Sequence, residues 1–150
     1  MNYVLDTNIL LFYLREPLTK AYMEEQYNPF EATNNPIISI VTVGEIKSIA
    51  LQNQWGGKRL QAVEDLLRSC IITDIKYEPI LEKYAEIDAF SQGKILVQPL
   101  GRSARNMGKN DLWIAATTAI ANAQLLTSDH DFDHLHQKYF DVIKIERVKA

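Results

Sequence analysis

The sequence predicts an α/β fold, a single-domain three-layer arrangement with a parallel sheet between two layers of helices. Short apolar runs of strand length alternate with stretches whose apolar residues recur at helical spacing. At least one helix separates each run from the next, so successive strands cannot pair as hairpins and are expected to run parallel. The 150 residues suit one domain, 1–150, without a linker, an internal repeat or a low-complexity segment.

Periodicity and end signals justify the individual elements. Residues 37–41 are rich in β-branched side chains, which is typical of a buried strand. Pro17 fits the first turn of a helix, and apolar residues on one face of 59–69 predict an amphipathic helix. In order, the predicted elements are a strand at 2–6, helices at 7–15 and 17–26, a strand at 37–41, a helix that includes 46–51, a helix at 59–69, a strand at 70–73, helices at 77–90 and 112–123, a strand at 124–127, a short helical piece at 132–138 and a strand at 141–145.

Composition and charge exclude several classes of protein. Hydrophobic residues make up 47% and charged residues 23%, and 16 basic against 19 acidic residues give a formal charge of −3. This is not the balance of a dedicated nucleic-acid coat protein, although it leaves room for a nucleic-acid enzyme with a local basic patch. The single Cys70 cannot form an intramolecular disulfide, and no apolar run approaches the ~18 residues of a membrane span. The N-terminus lacks the basic region of a signal peptide, so we expect a cytoplasmic protein.

Four carboxylates fall at equivalent places in this outline. Asp6 ends the first strand, Glu45 comes just after the second, and Asp129 comes just after the fourth. Asp111 opens the helix that leads into the fourth strand. The carboxyl ends of parallel strands share one edge of a sheet, where ligands bind in open α/β folds. We therefore expect Asp6, Glu45 and Asp129 on one rim, which Asp111 would reach from a helix N-terminus.

Such a gathering of acids suits a hard divalent cation. Several carboxylates in one place repel each other unless positive charge offsets the repulsion. Mg²⁺ and Mn²⁺ prefer oxygen ligands, keep several waters and often complete their coordination with phosphate oxygens. One or two such ions could activate water and stabilise charge on a phosphoryl group, as in the hydrolysis of a phosphodiester.

Each acid also has a purely local interpretation. Asp6 could cap the first helix, and Thr42-x-x-Glu45 fits the capping-box pattern. Asp111 would be favoured at a helix N-terminus by the helix dipole whatever the function, and Asp129 could cap the next turn. None of the four is specific alone, and it is their combination at the ends of central strands that favours a shared site.

The segment 91–109, called the basic segment below, breaks the pattern of elements. It contains glycine and proline and no acid, and its four cations are Lys94, Arg102, Arg105 and Lys109. These cations could contact phosphate groups of a nucleic acid, or the segment could be a solvated loop.

Other polar residues near the four acids have similar alternatives. Thr7, Asn8 and Ser128 could contact a phosphate, or could only satisfy local turns. The histidines at 130, 134 and 136 lack the spacing of a standard zinc site, and we expect them to be exposed.

Four segments, taken together, resemble the PIN-domain family, and in particular the VapC-type toxins of bacterial toxin–antitoxin pairs. The resemblance spans essentially the whole chain. The segments, in order, are Val4-Leu5-Asp6-Thr7-Asn8, Ser39-x-x-Thr42-x-x-Glu45, Asn110-Asp111-Leu112-Trp113-Ile114-Ala115-Ala116 and Leu126-Thr127-Ser128-Asp129-x-Asp131-Phe132.

The resemblance implies an activity, a cofactor and partners. It implies a ribonuclease that depends on Mg²⁺ or Mn²⁺ and whose acids are Asp6, Glu45, Asp111 and Asp129, with Asp131 as a supporting or alternative ligand. It also implies a five-stranded parallel sheet in the order 3-2-1-4-5, a homodimer and a small antitoxin that inhibits the enzyme. The basic segment is longer than the resemblance leads us to expect of compact members of the family, so no contacts there are implied.

Two other functions remain open at the level of sequence. Dehalogenase-like phosphatases also use an aspartate after the first strand, as the site of an aspartyl-phosphate. They would place a second acid two residues later, where this chain has Asn8. A module that binds a basic partner in an acidic groove, without catalysis, is the other alternative.

Overall fold

A computed structural model describes residues 1–150 and contains one sheet of five parallel strands in the order β3-β2-β1-β4-β5. The predicted fold class and strand order are confirmed. The elements are β1 (Asn2–Leu5), α1 (Thr7–Arg15), α2 (Pro17–Gln26), β2 (Asn35–Ser39), α3 (Ile40–Gln52), α4 (Gly57–Arg68), β3 (Ile71–Thr73), α5 (Glu78–Ser91), α6 (Lys109–Ile120), β4 (Gln124–Thr127), a 3₁₀ turn (Asp133–Leu135) and β5 (Val142–Lys144).

Strand β1 is the centre of the sheet. Its Val4 pairs with Ile37 of β2 on one side and with Leu125 of β4 on the other. The chain continues outward from β1 through β2 to β3, and then returns to the other side of β1 for β4 and β5. The strand order therefore reverses between β1 and β4, which is where open α/β sheets form a ligand crevice.

Alternation along the strands divides the core into two layers. Leu5, Ile38 and Leu126 belong to the layer that includes residues of α1, α3 and α4. Their neighbours Val4 and Leu125 point the other way and belong to the layer with α5 and α6. Because helices cover both faces, consecutive residues in the middle of the central strands are apolar, and each buried apolar side chain contributes about 1.5–3 kcal/mol.

The second strand lies two residues earlier than predicted, and this changes the position of Glu45. Strand β2 starts at Asn35 and ends at Ser39, so residues 40 and 41 already belong to α3. The side chain of Ser39 accepts a hydrogen bond from the backbone N–H of Val41, which caps the helix and ends the strand. Strand β3 does not extend as far as Pro36, so this proline has a strand neighbour on one side only.

Other boundaries differ by up to three residues. Helix α6 ends at Ile120, because Asn122 takes the left-handed conformation (φ 51°) that closes a helix. The short helical piece expected at 132–138 is a 3₁₀ turn of three residues. No helix has both the length and the apolar character needed to cross a membrane.

Candidate functional site

Asp6 caps α1 and also lies at the rim formed by the carboxyl ends of the strands. One carboxylate oxygen, Oδ1, accepts the Thr7 N–H at 2.8 Å, and Oδ2 accepts the Thr127 hydroxyl at 2.7 Å. Asp6 is only 5% exposed. The pKa of Asp6 is raised to about 6, chiefly by burial and to a smaller extent by the charges of Asp129 and Glu45, while the two hydrogen bonds act in the opposite direction. The local interpretation as a cap is therefore correct but incomplete.

Glu45 reaches the same rim from within α3. The hydroxyl of Thr7 donates to Glu45 Oε1 at 3.1 Å. Glu45 is not part of a capping box, because the N-cap is Ser39 and Glu45 lies one turn beyond the position that a capping glutamate would occupy. The expectation that Glu45 follows the strand directly is likewise wrong, since it is the sixth residue of the helix. Its carboxylate is thus free of a capping role, shares Thr7 as a neighbour with Asp6 and raises the pKa of Asp6 by its charge.

Asp111 approaches from the first turn of α6. The helix has Gly108 as its N-cap, and Asp111 Oδ2 lies 3.8 Å from the point where a Cβ at residue 108 would be. The pKa of Asp111 is raised to about 7, first by burial and then by the charges of Asp6, Asp129, Asp131 and Glu45. These repulsions show that Asp111 shares one electrostatic environment with the other acids.

Asp129 and Asp131 lie on residues 128–132, called the acid loop below. The N–H of Asp129 donates to the Thr127 hydroxyl at 3.0 Å, and the N–H of Asp131 donates to Asp129 Oδ1 at 3.2 Å. Asp111, Asp129 and Asp131 each offer a carboxylate oxygen, and these oxygens lie within 4.8 Å of one another. The structure thus brings together all five acids that the sequence analysis singled out.

The chemistry of these donors fits a divalent cation. All five groups offer hard oxygen ligands, and no lysine or arginine forms a salt bridge with any of them. Partly buried carboxylates without a counter-charge are unfavourable, as the raised pKa values of Asp6 and Asp111 indicate. One or two Mg²⁺ or Mn²⁺ ions would offset this repulsion.

The basic segment borders the acids on one side. Arg105 Nη1 donates to the carbonyl of His130 in the acid loop at 3.1 Å, while Arg102 and Lys109 are exposed. A cavity of about 180 Å³ lies between the segment and the acids, and it is lined by Arg105, Asn106, Met107, Gly108 and Asp131. Of the smaller polar candidates, Thr7 is buried against Glu45, Ser128 is half-buried and Asn8 is exposed.

Two residues that matter to this site were missed at the level of sequence. Thr127 is buried and connects Asp6 to the acid loop, and the only signal for it is a hydroxyl at the end of a strand. His134 was expected to be exposed but is only 5% exposed. Its Nε2 lies 2.7 Å from the Ser91 hydroxyl, and burial, with Arg105 and Arg102 adding to it, lowers its pKa to about 4. His134 therefore anchors the base of the basic segment as a neutral side chain.

The chain resembles known proteins in a family sequence profile and in fold. The sequence profile of the PIN domain matches residues 3–138. Among curated proteins, no sequence matches the chain.

Several solved structures are similar in fold. VapBC2 from Rickettsia felis, bound to a DNA fragment from its promoter, has a TM-score of 0.73 at 20% identity, covering 97% of this chain and 100% of that chain. VapBC-1 from nontypeable Haemophilus influenzae gives 0.72 at 23% identity, with 96% and 98% covered. FitAcB from Neisseria gonorrhoeae gives 0.68 at 19% identity, with 95% and 96% covered. At these identities the likeness is one of fold.

Proposed function

The chain belongs to the PIN domain family, and from this premise we propose that it is an endoribonuclease that depends on Mg²⁺ or Mn²⁺. The observation that carries the proposal is the convergence of Asp6, Glu45, Asp111 and Asp129 where the strand order reverses, with Asp131 beside them. We propose these residues as the ligands of one or two ions. A single PIN domain over 1–150 is part of the proposal.

The chain's own residues would hold the reacting groups in place. When bound, Mg²⁺ or Mn²⁺ supplies charge neutralisation at a phosphodiester and lowers the pKa of water. Asp6 is fixed by Thr7 and Thr127, and Glu45 is fixed by Thr7, so both carboxylates are oriented before any ligand arrives. One of the acids would accept the proton of the attacking water, so the reaction needs no histidine or lysine as general base.

The basic segment would bind the backbone of the RNA. Arg102, Arg105 and Lys109 carry positive charge to the edge of an acidic site that would otherwise repel a polyanion. The cavity of about 180 Å³ beside Asp131 offers room for a nucleotide group next to the scissile bond. Asn8 and Ser128 are proposed as further contacts, whereas Thr7 would act on the substrate only through Glu45.

The biological role that we propose is that of a toxin in a type II toxin–antitoxin module of the VapBC type. Similar folds occur in structures described as VapBC and FitAcB. A further similar structure is described as a toxin–antitoxin complex from Klebsiella pneumoniae. The partners would be cellular RNA, a small antitoxin and a second copy of the chain, and the location would be the cytoplasm. Ile71 and Ile72 on the edge strand β3 are about half exposed, which is compatible with burial against a second copy.

A cleavage assay tests the activity. The purified chain should cleave RNA with Mg²⁺ or Mn²⁺, and EDTA should abolish the cleavage. The variant D129N should retain the fold but lose the metal-dependent activity. Cleavage that persists in EDTA or in D129N would overturn the proposal.

The two rival functions give different results in the same system. A phosphatase would form a phosphoaspartate at Asp6 that can be trapped, and would leave RNA intact. A groove that only binds a basic partner would show neither Mn²⁺ binding at the acids nor cleavage.

A further inference from the structure

We propose that Lys144 is a positioning residue: it holds the acid loop in place and thereby sets the affinity of Asp129 and Asp131 for a divalent cation. This inference rests on the proposed metal site. Lys144 belongs to β5, is distant in sequence from the acid loop and was not singled out by any sequence motif.

The residue between the two loop acids is the point of attachment. The backbone carbonyl of His130 accepts the N–H of Asp133 at 3.2 Å and Arg105 Nη1 at 3.1 Å. The ring Nδ1 of His130 lies 3.0 Å from Asp133 Oδ2 and 3.0 Å from Lys144 Nζ. His130 is therefore contacted at both its backbone and its ring, by groups that are not members of the acid cluster.

Lys144 connects this attachment to the rigid sheet. It is the last residue of β5 and pairs with Thr127, the last residue of β4. The next residue, Ile145, donates its N–H to the Thr127 carbonyl at 2.8 Å. The ammonium group of Lys144 contacts both Asp133 and His130. Thr127 thus fixes the start of the acid loop, and Lys144 fixes its far side from the neighbouring strand.

Repulsion among the acids is the reason why the contacts of Lys144 with Asp133 and His130 would matter for the metal site. Asp111, Asp129 and Asp131 place carboxylate oxygens within 4.8 Å of one another, and without a cation these groups favour moving apart. The two loop acids are held least by side chains, because they lie on a loop, Asp131 is exposed and no side chain of the sheet donates to either carboxylate. A loop held by Lys144 keeps them in reach of one ion, as the outer partners of metal ligands commonly do.

A positioning role of Lys144 and a simple effect of its charge predict opposite changes in the affinity for a divalent cation when Lys144 is replaced. Removal of a positive charge near a cation site increases its affinity for a divalent cation, because one repulsion is lost. Loss of the contacts of Lys144 decreases the affinity, because the loop acids must be ordered when the ion binds. The direction of the change in Mn²⁺ affinity for Lys144→Met therefore separates the two roles.

The experiment is a measurement of Mn²⁺ binding by electron paramagnetic resonance and calorimetry, on wild type, K144M and K83M. Lys83 is a matched control, because it also forms a salt bridge with a carboxylate and its side chain is 27% exposed against 25% for Lys144. We expect K144M to bind Mn²⁺ ~10-fold more weakly, at the low end of the range for residues that support metal ligands. K144R should recover most of the affinity, and K83M should match wild type.

Unchanged or tighter binding by K144M would overturn the positioning role while leaving the metal site intact. Absence of Mn²⁺ binding by wild type would instead overturn the proposed metal site, and the positioning role with it. If K144M does not fold, H130A serves as the second variant, because the His130 side chain is 81% exposed and its removal leaves the core unchanged. H130A should also weaken Mn²⁺ binding, and an affinity equal to that of wild type would contradict the proposal.

Discussion

The acidic rim has two halves that are built differently. In the strand half, Asp6 and Glu45 are fixed by the hydroxyls of Thr127 and Thr7, which are themselves buried. In the loop half, Asp129 and Asp131 lie on a loop that is held by backbone N–H groups and, at its outer side, by Arg105 and Lys144. The strand half is therefore pre-organised by the core, whereas the loop half depends on surface contacts that can be changed separately.

The largest effect is expected from the strand half, in the variant Asp6→Asn. Loss of a central ligand should lower RNA cleavage by at least ~100-fold, since even supporting residues cost 10- to 100-fold. The free energy of unfolding at pH 8 in EDTA should not decrease, because burial already disfavours the charged form of Asp6. Retained cleavage, or an unfolded variant, would contradict the role of Asp6 as a pre-organised ligand.

The link between the two halves is tested by Thr127→Val. The substitution keeps the shape but removes the hydroxyl that donates to Asp6 and accepts from Asp129. We expect Mn²⁺ affinity to decrease by ~10-fold or more and stability to decrease by about 1–3 kcal/mol. Thr118→Val is the matched control, because Thr118 is equally buried but its hydroxyl donates only to the Ile114 carbonyl of its own helix. Equal Mn²⁺ affinities in the two variants would show that the halves are independent.

A smaller effect concerns pH and Asp111. In the metal-free protein the folded state holds a proton on Asp111 up to about pH 7, whereas the unfolded chain releases it near pH 4. The folded state thus binds more protons in this window, and wild-type stability falls as the pH rises through it. The variant Asp111→Asn has no carboxyl group at this position, so its stability does not fall with pH for this reason. We expect its stability advantage in EDTA to grow from near zero at pH 4 to ~1–2 kcal/mol above pH 7, after allowance for solvent screening.

Urea unfolding of both proteins from pH 4 to 8 checks this expectation. His134, whose pKa is lowered to about 4, titrates in both and cancels in the difference. Added Mn²⁺ should remove the advantage of Asp111→Asn, because the ion stabilises only wild type. A difference that does not change with pH would contradict the electrostatic account of the rim.

The smallest effect is expected at the edge of the loop half, from Arg102→Gln. Arg102 is exposed, so its loss should leave stability unchanged and weaken RNA binding. The slope of log affinity against log salt should decrease by ~1, as for one lost phosphate contact. Arg68→Gln, an exposed arginine at the end of α4, makes the same change of charge away from the site and should leave the slope unchanged. A slope for Arg102→Gln equal to that of wild type would contradict a phosphate contact by Arg102.

Much of the strand half could be predicted from the sequence. Apolar runs that end on acids identify strands and their carboxyl ends, because both signals are local. The predicted boundary of β2 was wrong. The strand ends at Ser39, whose side chain accepts a hydrogen bond from the Val41 N–H, although the run of β-branched residues continues to residue 41. The order of the strands came from the family resemblance, since pairing across the sheet has no signal in one sequence.

The contacts that hold the loop half could not be predicted, because contacts between distant parts of the chain also leave no signal in one sequence. Lys144 contacts His130, which is 14 residues away in the sequence, and Thr127 donates a hydrogen bond to Asp6, which is 121 residues away. His134 contacts Ser91 of the basic segment and stacks on Phe90, both of which lie more than 40 residues away in the sequence. Side chains of this kind acquire their role only when distant parts of the chain pack together.

The base of the basic segment has a consequence for how such a protein can diversify. The N–H of Arg105 donates to the carbonyl of Ser91 at 2.6 Å, and the Ser91 hydroxyl also contacts Met107. The residues between Ser91 and Arg105 therefore form a loop whose two ends are joined by hydrogen bonds at its base. A change in the length of this loop does not have to separate its ends. Lengthening a flexible loop costs only about 0.6 kcal/mol for each doubling. If the basic segment binds RNA as we propose, insertions and deletions there would alter its contacts with the RNA, while Asp111, just beyond the base, keeps its place.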